Sequence, residues 1–482
     1  MAPSLVRSFS RYPILTTGDI MNPHRRVAIV SLSLVLAVQV SSAQDTHYWN
    51  LSYGTRSTLL GGAVIGSVSD LSATYYNPGA LGISAAGGLV LSAGVYEGNS
   101  YTIEGGDTLG TELSSFRINP APTYLAGRLP ADSLIGEKLT YSLITRQAMR
   151  LDLQGRSVSK NGRFLGIPVL GDLASENVFL QDITEVWAGI TWSRGLSKTF
   201  GVGVTTYGAL RSQTRRINIS AQQQTPGGEV RGLSAVTDYD YFNVRLLWKA
   251  GLMADLSPLT MGLTVTTPSV NLFGSGSAFV NTWATGVDLN GDGLADEYMM
   301  ANYQEDLTSR YNSSWTIGAG MAYRLGKWRF DLSAEWFAPV RRFAILETAP
   351  FSVQSTGETV TNDLTHELDP VINVGVGAEY QVAENATLFL SAVTDFSGAA
   401  PGSSTNMAIT TLDLYHLTAG GLFVLGDIDL TFGAGYAFGS NPISEAAAQS
   451  SSDVLRTIAE RAPDLKFTSR KFKLIFAFSY RV

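Results

Sequence analysis

The chain has 482 residues and a formal net charge of −7, with 49 glycines, 10% aromatic residues, 16% charged residues and no cysteine. The lack of cysteine excludes disulfides, thiol nucleophiles and zinc–thiolate sites. An acidic chain without a basic stripe argues against nucleic acid as a partner. The glycine-rich and aromatic composition fits a β-protein with a lipid-facing surface better than a soluble enzyme.

Residues 1–43 have the features of a secretory signal peptide. Two arginines precede an apolar run over 27–40, and three small residues follow before Gln44. The run is too short and too polar for a spanning helix. Met21 is the more natural start, and we expect the mature chain to begin near Gln44.

Fourteen later runs alternate between apolar and polar side chains, which is the pattern of membrane-spanning strands. They lie at 88–96, 114–127, 139–150, 179–194, 199–210, 241–254, 260–269, 312–325, 327–339, 371–382, 386–395, 412–424, 428–438 and 470–482. Short connections alternate with long ones, and the long ones are 97–113, 151–178, 211–240, 270–311, 340–370, 396–411 and 439–469. Short periplasmic turns and long outer loops are typical of outer-membrane barrels.

The sequence therefore predicts an all-β fold over 88–482, a 14-stranded antiparallel transmembrane β-barrel. The barrel must be closed, because an open sheet edge cannot lie in hydrocarbon. We expect a monomer in the bacterial outer membrane, in contact with its lipid and lipopolysaccharide.

The last strand shows the two faces most clearly. Its lipid face is predicted to carry Phe472, Leu474, Phe476, Phe478, Tyr480 and Val482, and its lumenal face Lys471, Lys473, Ala477, Ser479 and Arg481. This aromatic alternation resembles the signal that the barrel-assembly machinery reads during biogenesis.

No enzyme is predicted. No histidine pair has the spacing of metal ligands, and no nucleophile-elbow or phosphate-binding motif occurs. His416 is expected on the lumenal face. A serine–histidine esterase is conceivable there, but a polar wall residue is the commoner explanation.

The stretch from Gly61 to Leu81 is rich in small residues and has neither helical nor strand periodicity. It ends in an Asn-Pro-Gly turn signal at 77–79. Its unpaired backbone groups need partners, so we expect residues 44–87 to form a plug, or hatch, inside the barrel. The candidate hatch and gating residues are Gly61, Gly62, Ala63, Asp70, Ser72, Ala73, Tyr76, Asn77, Pro78, Gly79, Ala80 and Leu81. Asp70 is expected to accept hydrogen bonds from lumenal donors of the barrel.

This stretch resembles the hatch of FadL/TodX-type outer-membrane channels. The shared features are Gly-Gly-Ala at 61–63, Asp-x-Ser-Ala-x-x-Tyr-Asn-Pro at 70–78, and a small-small-Leu ending. The family ending Asn-Pro-Ala-Gly-Leu has its two small residues exchanged here. The resemblance implies diffusive uptake of hydrophobic small molecules such as long-chain fatty acids. It also implies ligand capture by loops 211–240 and 270–311.

Two other functions are compatible with a barrel that contains a hatch. A related PorV-type subgroup serves type IX protein secretion as a shuttle or anchor. A porin for polar solutes is disfavoured, because the hatch would obstruct a water-filled pore.

Pro120 and Pro122 lie inside the second predicted strand. Proline cannot donate to a strand ladder and belongs at edges or bulges. Either the strand begins near Thr123, or the prolines mark an opening in the wall. The resemblance favours an opening, since FadL-type channels have one near the hatch.

A possible calcium loop lies in the connection 270–311. Oxygen ligands fall at the first, third, fifth and ninth positions of a calcium loop, with glycine at the sixth. The candidate ligands are Asp288, Asn290, Asp292, the Leu294 carbonyl and Asp296. Met299 stands where an EF-hand has its bidentate glutamate, so the segment resembles the shorter calcium loops of integrin-type repeats.

Overall fold

The computed structural model describes twelve ranges of the chain. They are 47–84, 89–92, 95–104, 113–121, 124–129, 138–160, 163–164, 167–168, 171–287, 296–400, 412–442 and 466–480. The predicted signal peptide lies outside the described residues.

Within the described ranges, the elements in chain order are three one-turn helices followed by twenty-four strands. The helices are α1 (Arg56–Leu59), α2 (Ala73–Tyr76) and α3 (Ala80–Ile83). The strands are β1 (Leu89–Ser92), β2 (Val95–Glu104), β3 (Leu113–Ala121), β4 (Tyr124–Leu129), β5 (Lys138–Lys160), β6 (Arg163–Phe164), β7 (Ile167–Pro168), β8 (Asp172–Gly195), β9 (Phe200–Gln224), β10 (Val230–Leu256), β11 (Leu259–Thr266), β12 (Val270–Val287), β13 (Asp296–Thr308), β14 (Thr316–Leu325), β15 (Trp328–Phe337), β16 (Val340–Leu346), β17 (Phe351–Ser352), β18 (Thr359–Val360), β19 (Leu364–Leu368), β20 (Val371–Ala383), β21 (Ala386–Asp395), β22 (Leu414–Leu425), β23 (Ile428–Pro442) and β24 (Lys466–Tyr480). No helix among the described residues is long and apolar enough to cross a membrane.

The strands form a closed antiparallel barrel with fourteen wall positions, as the sequence predicts. Four positions consist of two strand segments each, namely β1 with β2, β3 with β4, β11 with β12, and β13 with β14. The last strand, β24, pairs with β23 on one side and with β1 and β2 on the other. This last pairing joins the two ends of the sheet and closes the barrel.

Side chains along the wall alternate between lipid and lumen. In β10 the inward positions include Asn243, Arg245 and Lys249, which are all buried in the barrel interior. In β24 the predicted lumenal Lys471 is buried, whereas Phe472 on the predicted lipid face is 51% exposed. The faces of β24 are as predicted, and those of β10 alternate in the same way, because a period of two fixes which side chains share a face.

Aromatic side chains on the outer surface lie near both ends of the membrane-spanning segments. Near the short turns they are Trp192, Phe200, Tyr323, Trp328, Phe330 and Tyr480, and towards the other end Phe242, Phe273, Trp315, Trp336, Tyr415 and Phe438. Such girdles mark the two membrane interfaces of a barrel.

Two of the outer loops predicted from the sequence, 211–240 and 270–311, are largely strand in the described residues. Only residues 225–229 separate β9 from β10, so the predicted loop 211–240 is a wall hairpin. Likewise, β12 and β13 occupy most of the predicted loop 270–311. These extensions present polar residues such as Thr214 and Arg216 on the outside. The search for alternating apolar and polar residues misses these strand extensions. They lie beyond the membrane, so their outer face is polar instead of apolar.

The predicted loop 340–370 folds back as a second hairpin, here called the inner hairpin, made of β16 and β19. Ile345, Leu346 and Leu364 of this hairpin are fully buried against inward-facing side chains of the wall, including Tyr241. The inner hairpin therefore lies within the outer half of the lumen, whereas the sequence predicted only a long outer connection here.

Candidate functional site: the hatch and the lumen above it

Residues 47–84 pack inside the barrel, and they are called the hatch below. All twelve predicted hatch residues lie in this segment and are buried or half-buried. Three single helical turns interrupt an otherwise irregular backbone. Many of its backbone groups are paired with the wall, as when Thr205 and Tyr207 both donate to the carbonyl of Thr74, at 2.8 and 2.7 Å. The lumen thus supplies the partners that an isolated segment of this composition would lack.

The Asn77-Pro78-Gly79 sequence forms the predicted turn. The amide of Ala80 donates to the carbonyl of Asn77 at 3.0 Å, and Asn77 Oδ1 accepts from the Gly79 amide at 3.0 Å. Asn77 Nδ2 donates to the carbonyls of Ile65 at 2.9 Å and of Leu252 in β10 at 2.8 Å. This fully buried amide therefore fixes both the turn and its attachment to the wall.

Glycines on the inner face of the wall permit close approach of the hatch backbone. A Cβ atom on Gly251 would lie 2.2 Å from Asn77 Oδ1, and one on Gly262 would lie 2.1 Å from the Ile65 carbonyl oxygen. No real Cβ tolerates such distances, so these wall positions accept only glycine while the hatch is seated.

A buried ion cluster joins the hatch to β15 and β20. Arg56 Nε donates to Glu379 at 2.9 Å, and Arg56 Nη2 lies 3.0 Å from Asp331. Arg329 completes the group, 3.8 Å from Asp331 and 3.9 Å from Glu379. Burial opposes the positive charge of Arg56, but the two carboxylates outweigh it and raise the arginine pKa. The cluster therefore contains two positive and two negative side chains, and its net charge is zero.

The first described residues tie the hatch to the outer half of the wall. The amides of Tyr48 and Trp49 both donate to Asp395 Oδ1 at 2.9 Å, and Trp49 Nε1 donates to Glu335 at 2.9 Å. His47 Nε2 donates to the Leu412 carbonyl at 2.7 Å. The other end of the hatch lies near the short turns, where Lys138 Nζ donates to the Ser84 carbonyl at 2.8 Å.

The structure corrects the expected role of Asp70. Its carboxylate accepts from the amide of Ser72 at 2.9 Å and from Thr55 at 3.3 Å, and both residues belong to the hatch itself. Asp70 therefore stabilises the fold of the hatch itself. The hydrogen bonds to the wall that were expected of Asp70 are made by Asn77 and Arg56 instead.

A cavity of about 70 Å³ lies on the outer side of the hatch. Its charged lining residues are Arg146, Glu185, Arg245, Lys249 and Glu335, and its aromatic ones Tyr48, Tyr75, Trp187, Tyr311 and Phe337. The wall of this space therefore combines aromatic rings with buried charges from β5, β8, β10 and β15.

Aromatic rings continue from this cavity along the hatch towards the second wall position. Trp187 and Tyr75, with ring centroids 6.3 Å apart, both line the cavity. Tyr53 lies 4.7 Å from Tyr75 and 5.9 Å from Tyr124 of β4. These buried rings form one continuous cluster from the cavity to the wall at β4.

The wall ladder beside Tyr124 is incomplete. Pairing between β4 and β5 runs from Leu129 opposite Leu139 to Tyr124 opposite Ile144. Beyond that point, the described residues of β3 pair only with β2, although Cα atoms of β3 and β5 lie within 8 Å of each other. The two strands thus run side by side without a ladder in the part of the chain that the structure describes.

The neighbouring segment of β5 bulges inward at the same level. The register with β8 shifts between Thr145 and Gln147, so the consecutive side chains of Arg146 and Gln147 are both buried in the lumen. Arg146 donates to the carbonyl of Tyr48 at 3.1 Å, and Gln147 to that of His47 at 3.2 Å. A bulge that re-aims side chains in this way also bends its strand.

Pro120 is part of β3, where it pairs with Tyr96 of β2. A wall strand, β4, does begin at Tyr124, close to the expected start near Thr123, and β3 precedes it over residues 113–121. Proline has no backbone N–H group to donate. It therefore fits a strand that lacks a hydrogen-bonded neighbour on one side. Pro122 lies outside the described residues.

A second irregularity, between β11–β12 and β13–β14, is bridged by side chains. Ser313 Oγ accepts from the Ser269 amide at 2.9 Å, and Asn271 Oδ1 accepts from the Tyr311 amide at 2.8 Å. The side chain of Tyr311 turns inward over the cavity. The predicted strand 312–325 accordingly begins later, at Thr316.

The remaining predicted site residues are not brought to the hatch. Asp288, Asn290, Asp292 and Leu294 lie outside the described residues, and Asp296 is the first residue of β13, opposite Val287. No group of three metal-binding side chains occurs within the described ranges. His416 faces the lumen as predicted, with its Nε2 atom 3.6 Å from Asp395.

Solved structures of several channels resemble this chain over nearly its whole length. A Pseudomonas aeruginosa FadL homologue has a TM-score of 0.56 at 14% identity, with 90% of this chain and 99% of that chain covered. The chain has the FadL/TodX channel fold. The Pseudomonas putida toluene transporter TodX gives 0.55 at 14% identity, covering 91% and 100%. The Ralstonia pickettii toluene transporter TbuX gives 0.51 at 13%, covering 89% and 98%.

The resemblance that the hatch sequence indicated is thus confirmed at the level of the fold. No protein-family model and no curated protein matches the sequence. The closed barrel, its apolar outer surface and the FadL/TodX channel fold also confirm the predicted outer-membrane location.

Sequence reasoning missed several residues of this site. The sequence pattern placed Arg146, Glu185 and Glu335 at inward-facing positions of predicted strands, but it gave no sign that they share a site. The inward-facing glycines Gly251 and Gly262 could have been noticed, since glycine inside a strand often marks close backbone approach.

Proposed function

We propose that this protein is an outer-membrane channel for diffusive uptake of hydrophobic small molecules. The observation that carries the proposal is the aromatic cluster that leads from the cavity to Tyr124, where the described ladder between β4 and β5 ends. A hydrophobic solute that reaches the cavity would leave through the wall at this point, between β3 and β5, instead of crossing the hatch.

The hatch supports this route. Its attachments to the wall reach from Asp395 on the outer side to Lys138 near the short turns. The hatch blocks a straight aqueous path through the barrel. The side of β3 that has no ladder partner offers a solute a lateral path through the wall instead. Nothing in the described structure binds an energy source, so passage is expected to follow the concentration gradient.

Related folds suggest which hydrophobic molecules to test. TodX and TbuX are described as toluene transporters. We propose single-ring hydrocarbons and long-chain fatty acids as the two candidate classes for this chain. The aromatic side chains that line the cavity suit the flat rings of the single-ring compounds.

The test is uptake of labelled toluene and of a labelled long-chain fatty acid by cells that carry this protein in the outer membrane. Cells without it show the background, and a labelled trisaccharide reports any water-filled pore. We expect toluene uptake to rise while trisaccharide uptake stays at background. Equal toluene uptake with and without the protein would contradict the proposal. Loss of exported surface proteins on gene deletion would instead support the role in type IX secretion.

The wall route has its own test. Replacing Pro120 and Pro122 with valine restores two ladder donors on β-favouring residues and should lower toluene uptake. Pro268→Val at the second, side-chain-bridged irregularity is the matched control and should leave uptake unchanged. Unchanged uptake in the double variant, at a normal level of protein in the membrane, would argue against exit between β3 and β5.

A further inference from the structure

A recess at the short-turn end of the barrel takes no part in the proposed uptake. Its volume is about 250 Å³, and the hatch residues Ser67, Ser69 and Ser84 form part of its lining. The wall residues of the lining belong to β10, β11, β14, β15 and two short turns, whereas the proposed exit lies between β3 and β5. Short turns face the periplasm in outer-membrane barrels, so the recess is open to periplasmic molecules.

Two positively charged side chains face this recess. Lys198 lies in the turn between β8 and β9, and Arg324 is the next-to-last residue of β14. Tyr323 and Leu325, on either side of Arg324, are 48% and 60% exposed on the lipid face, so alternation along the strand directs Arg324 inward. Within the described residues, neither Lys198 nor Arg324 forms an ion pair.

The charge of the recess is not balanced. Among the described residues its lining contains one unshared carboxylate, that of Asp255, which accepts from the amide of Ser257 at 3.2 Å. Arg329 also lines the recess, but its charge belongs to the neutral ion cluster at Arg56. Lys198 and Arg324 against Asp255 leave an excess of one positive charge. Both cations are exposed, so a molecule from the periplasm can reach them.

The rim of the barrel around this recess is polarised. The three consecutive short turns beside it are 196–199, 257–258 and 326–327, and their charged residues are Lys198 and Lys327. The next two turns around the barrel, 384–385 and 426–427, carry Glu384 and Asp427 instead. Positive charge is thus concentrated on one side of the mouth, where it attracts an acidic molecule and orients its approach.

The spacing of these cations favours an extended chain over a compact anion. Four strand spacings separate the turns that carry Lys198 and Lys327, which is roughly 19 Å at about 4.8 Å each. A small anion cannot contact both ends of this arc. An extended peptide of about six residues covers it, at about 3.3 Å per residue. Side chains of such a peptide alternate, so acidic residues at every second position face the same side.

We propose that the recess and its basic rim bind an acidic segment of a periplasmic protein in an extended conformation. Carboxylates of the segment pair with Lys198, Arg324 and Lys327, and its backbone lies beside the exposed Ser69 of the hatch. The proposal goes beyond the uptake of hydrophobic compounds and does not depend on it.

The test is fluorescence anisotropy of a labelled hexapeptide of alternating glutamate and glycine, with the purified full chain in nanodiscs of phosphatidylcholine. A second peptide with glutamine in place of glutamate is the neutral comparison. We expect the acidic peptide to bind at least about tenfold more tightly, and its affinity to fall as the salt concentration rises. The whole chain has a net charge of −7, so its overall charge repels this peptide and cannot account for binding.

Substitutions locate the binding site. Lys198→Gln combined with Arg324→Gln should weaken binding of the acidic peptide by about tenfold. Asp255→Asn should strengthen binding, because it removes a carboxylate from the lining. Arg341→Gln combined with Arg342→Gln is the matched control, since it removes two exposed cations from β16 in the outer half of the lumen. This control should leave binding unchanged. All of these side chains are exposed, and heat-modifiable migration in gels reports that each variant is folded.

Five results would overturn the proposal. Equal affinity for the two peptides, or no measurable binding of either, would remove the role of charge. Unchanged binding in the Lys198 and Arg324 double variant would place the site elsewhere, and an equal loss in the matched control would indicate unspecific attraction. Inorganic phosphate that competes at equal affinity would identify a small-anion site. The same result with a soluble short-chain phosphatidylglycerol would assign the recess to lipid headgroups. Toluene uptake does not involve these cations, so each proposal can fail while the other holds.

Discussion

Single residues hold the hatch against the wall, and glycines are as important as polar side chains. The inward face of β10 carries Gly251 where Asn77 meets the wall, with no space for a methyl group. The bond from Asn77 to the Leu252 carbonyl requires this close approach.

We predict that Gly251→Ala displaces the hatch. The added Cβ collides with Asn77 Oδ1, so seating should become less favourable by about 1–3 kcal/mol. Hydrogen exchange of residues 77–84 should accelerate in this variant. Gly435→Ala is the matched control, because a Cβ on this inward-facing glycine would lie 3.5 Å from its nearest neighbour. Equal exchange in the two variants would contradict the close fit.

His47 gives the first described segment a dependence on pH. Burial lowers its pKa from the ordinary value of 6.5, and it outweighs the nearby charge of Asp395. A lowered folded-state pKa means that the released segment binds a proton more readily than the docked one. The contribution of His47 to docking is therefore complete above pH 6.5 and is lost as the pH falls through and below that value.

We predict faster hydrogen exchange of residues 47–53 at about pH 5 than near neutral pH, after correction for the intrinsic rate. His47→Gln should remove most of this difference, since glutamine does not titrate. His416 and Asp395 also lie in this group, so a difference that persists unchanged in His47→Gln would assign the effect to them.

At the scale of elements, the strands beyond the membrane differ most from the sequence-based prediction. β9 and β10 continue as a paired wall across most of the predicted loop 211–240. Their inward and outward faces still alternate, but neither face has the apolar character that lipid requires. The expected capture loop is therefore a hydrogen-bonded part of the wall at these positions, and the inner hairpin lies inside the outer lumen.

The calcium loop stays a prediction at this scale. It would connect β12 to β13 at the outer end of the barrel, since Asp296 begins β13. Asp288, Asp292 and Asp296 would repel each other without a cation, and few charged ligands predict weak affinity, on the order of 10⁻⁴–10⁻³ M.

We expect millimolar calcium to protect residues 288–296 from proteolysis, as followed by mass spectrometry of the fragments. Asp288→Ala combined with Asp292→Ala should abolish the protection. Asp238→Ala in the wall serves as the control and should preserve it. Equal cleavage of the unmodified protein with calcium and with a chelator would reduce the segment to a polar turn.

At the scale of the whole molecule, the barrel and the hatch form one packed unit. Arg56 reaches β15 and β20, and Lys138 of β5 reaches the far end of the hatch, so the segment crosses the lumen. Closure of the wall does not require the hatch, because every wall strand is paired with its neighbours along part of its length.

We predict that deletion of residues 61–81 leaves a folded barrel that leaks small polar solutes. The deletion removes Asn77 and the turn that fills the lumen beside β10. Liposome swelling in small sugars should rise well above that of the full chain, and heat-modifiable migration in gels reports that the barrel is folded. Swelling at the background rate with a folded barrel would show that the hatch is not the barrier.

The wall and the turn of the hatch could be predicted from local sequence patterns. The lipid and lumenal faces of β10 and β24, the fourteen wall positions and the turn at Asn77 follow from local rules. A period of two fixes the face of each side chain, and Asn-Pro-Gly fixes a turn whatever surrounds it. Such features need only near neighbours in the chain.

The contents of the lumen depend on contacts between residues that are distant in the chain, and local patterns do not predict these contacts. Arg146, Arg245 and Glu335 lie on three wall strands that are distant in sequence, and closure of the barrel brings them to one cavity. Three other features depend in the same way on which segments contact each other in the folded barrel. They are the hydrogen-bond partners of Asp70, the fold of the inner hairpin and the side of β3 that has no ladder partner. Inward parity shows that a side chain faces the lumen, but strand register, tilt and the seated hatch determine what it contacts there.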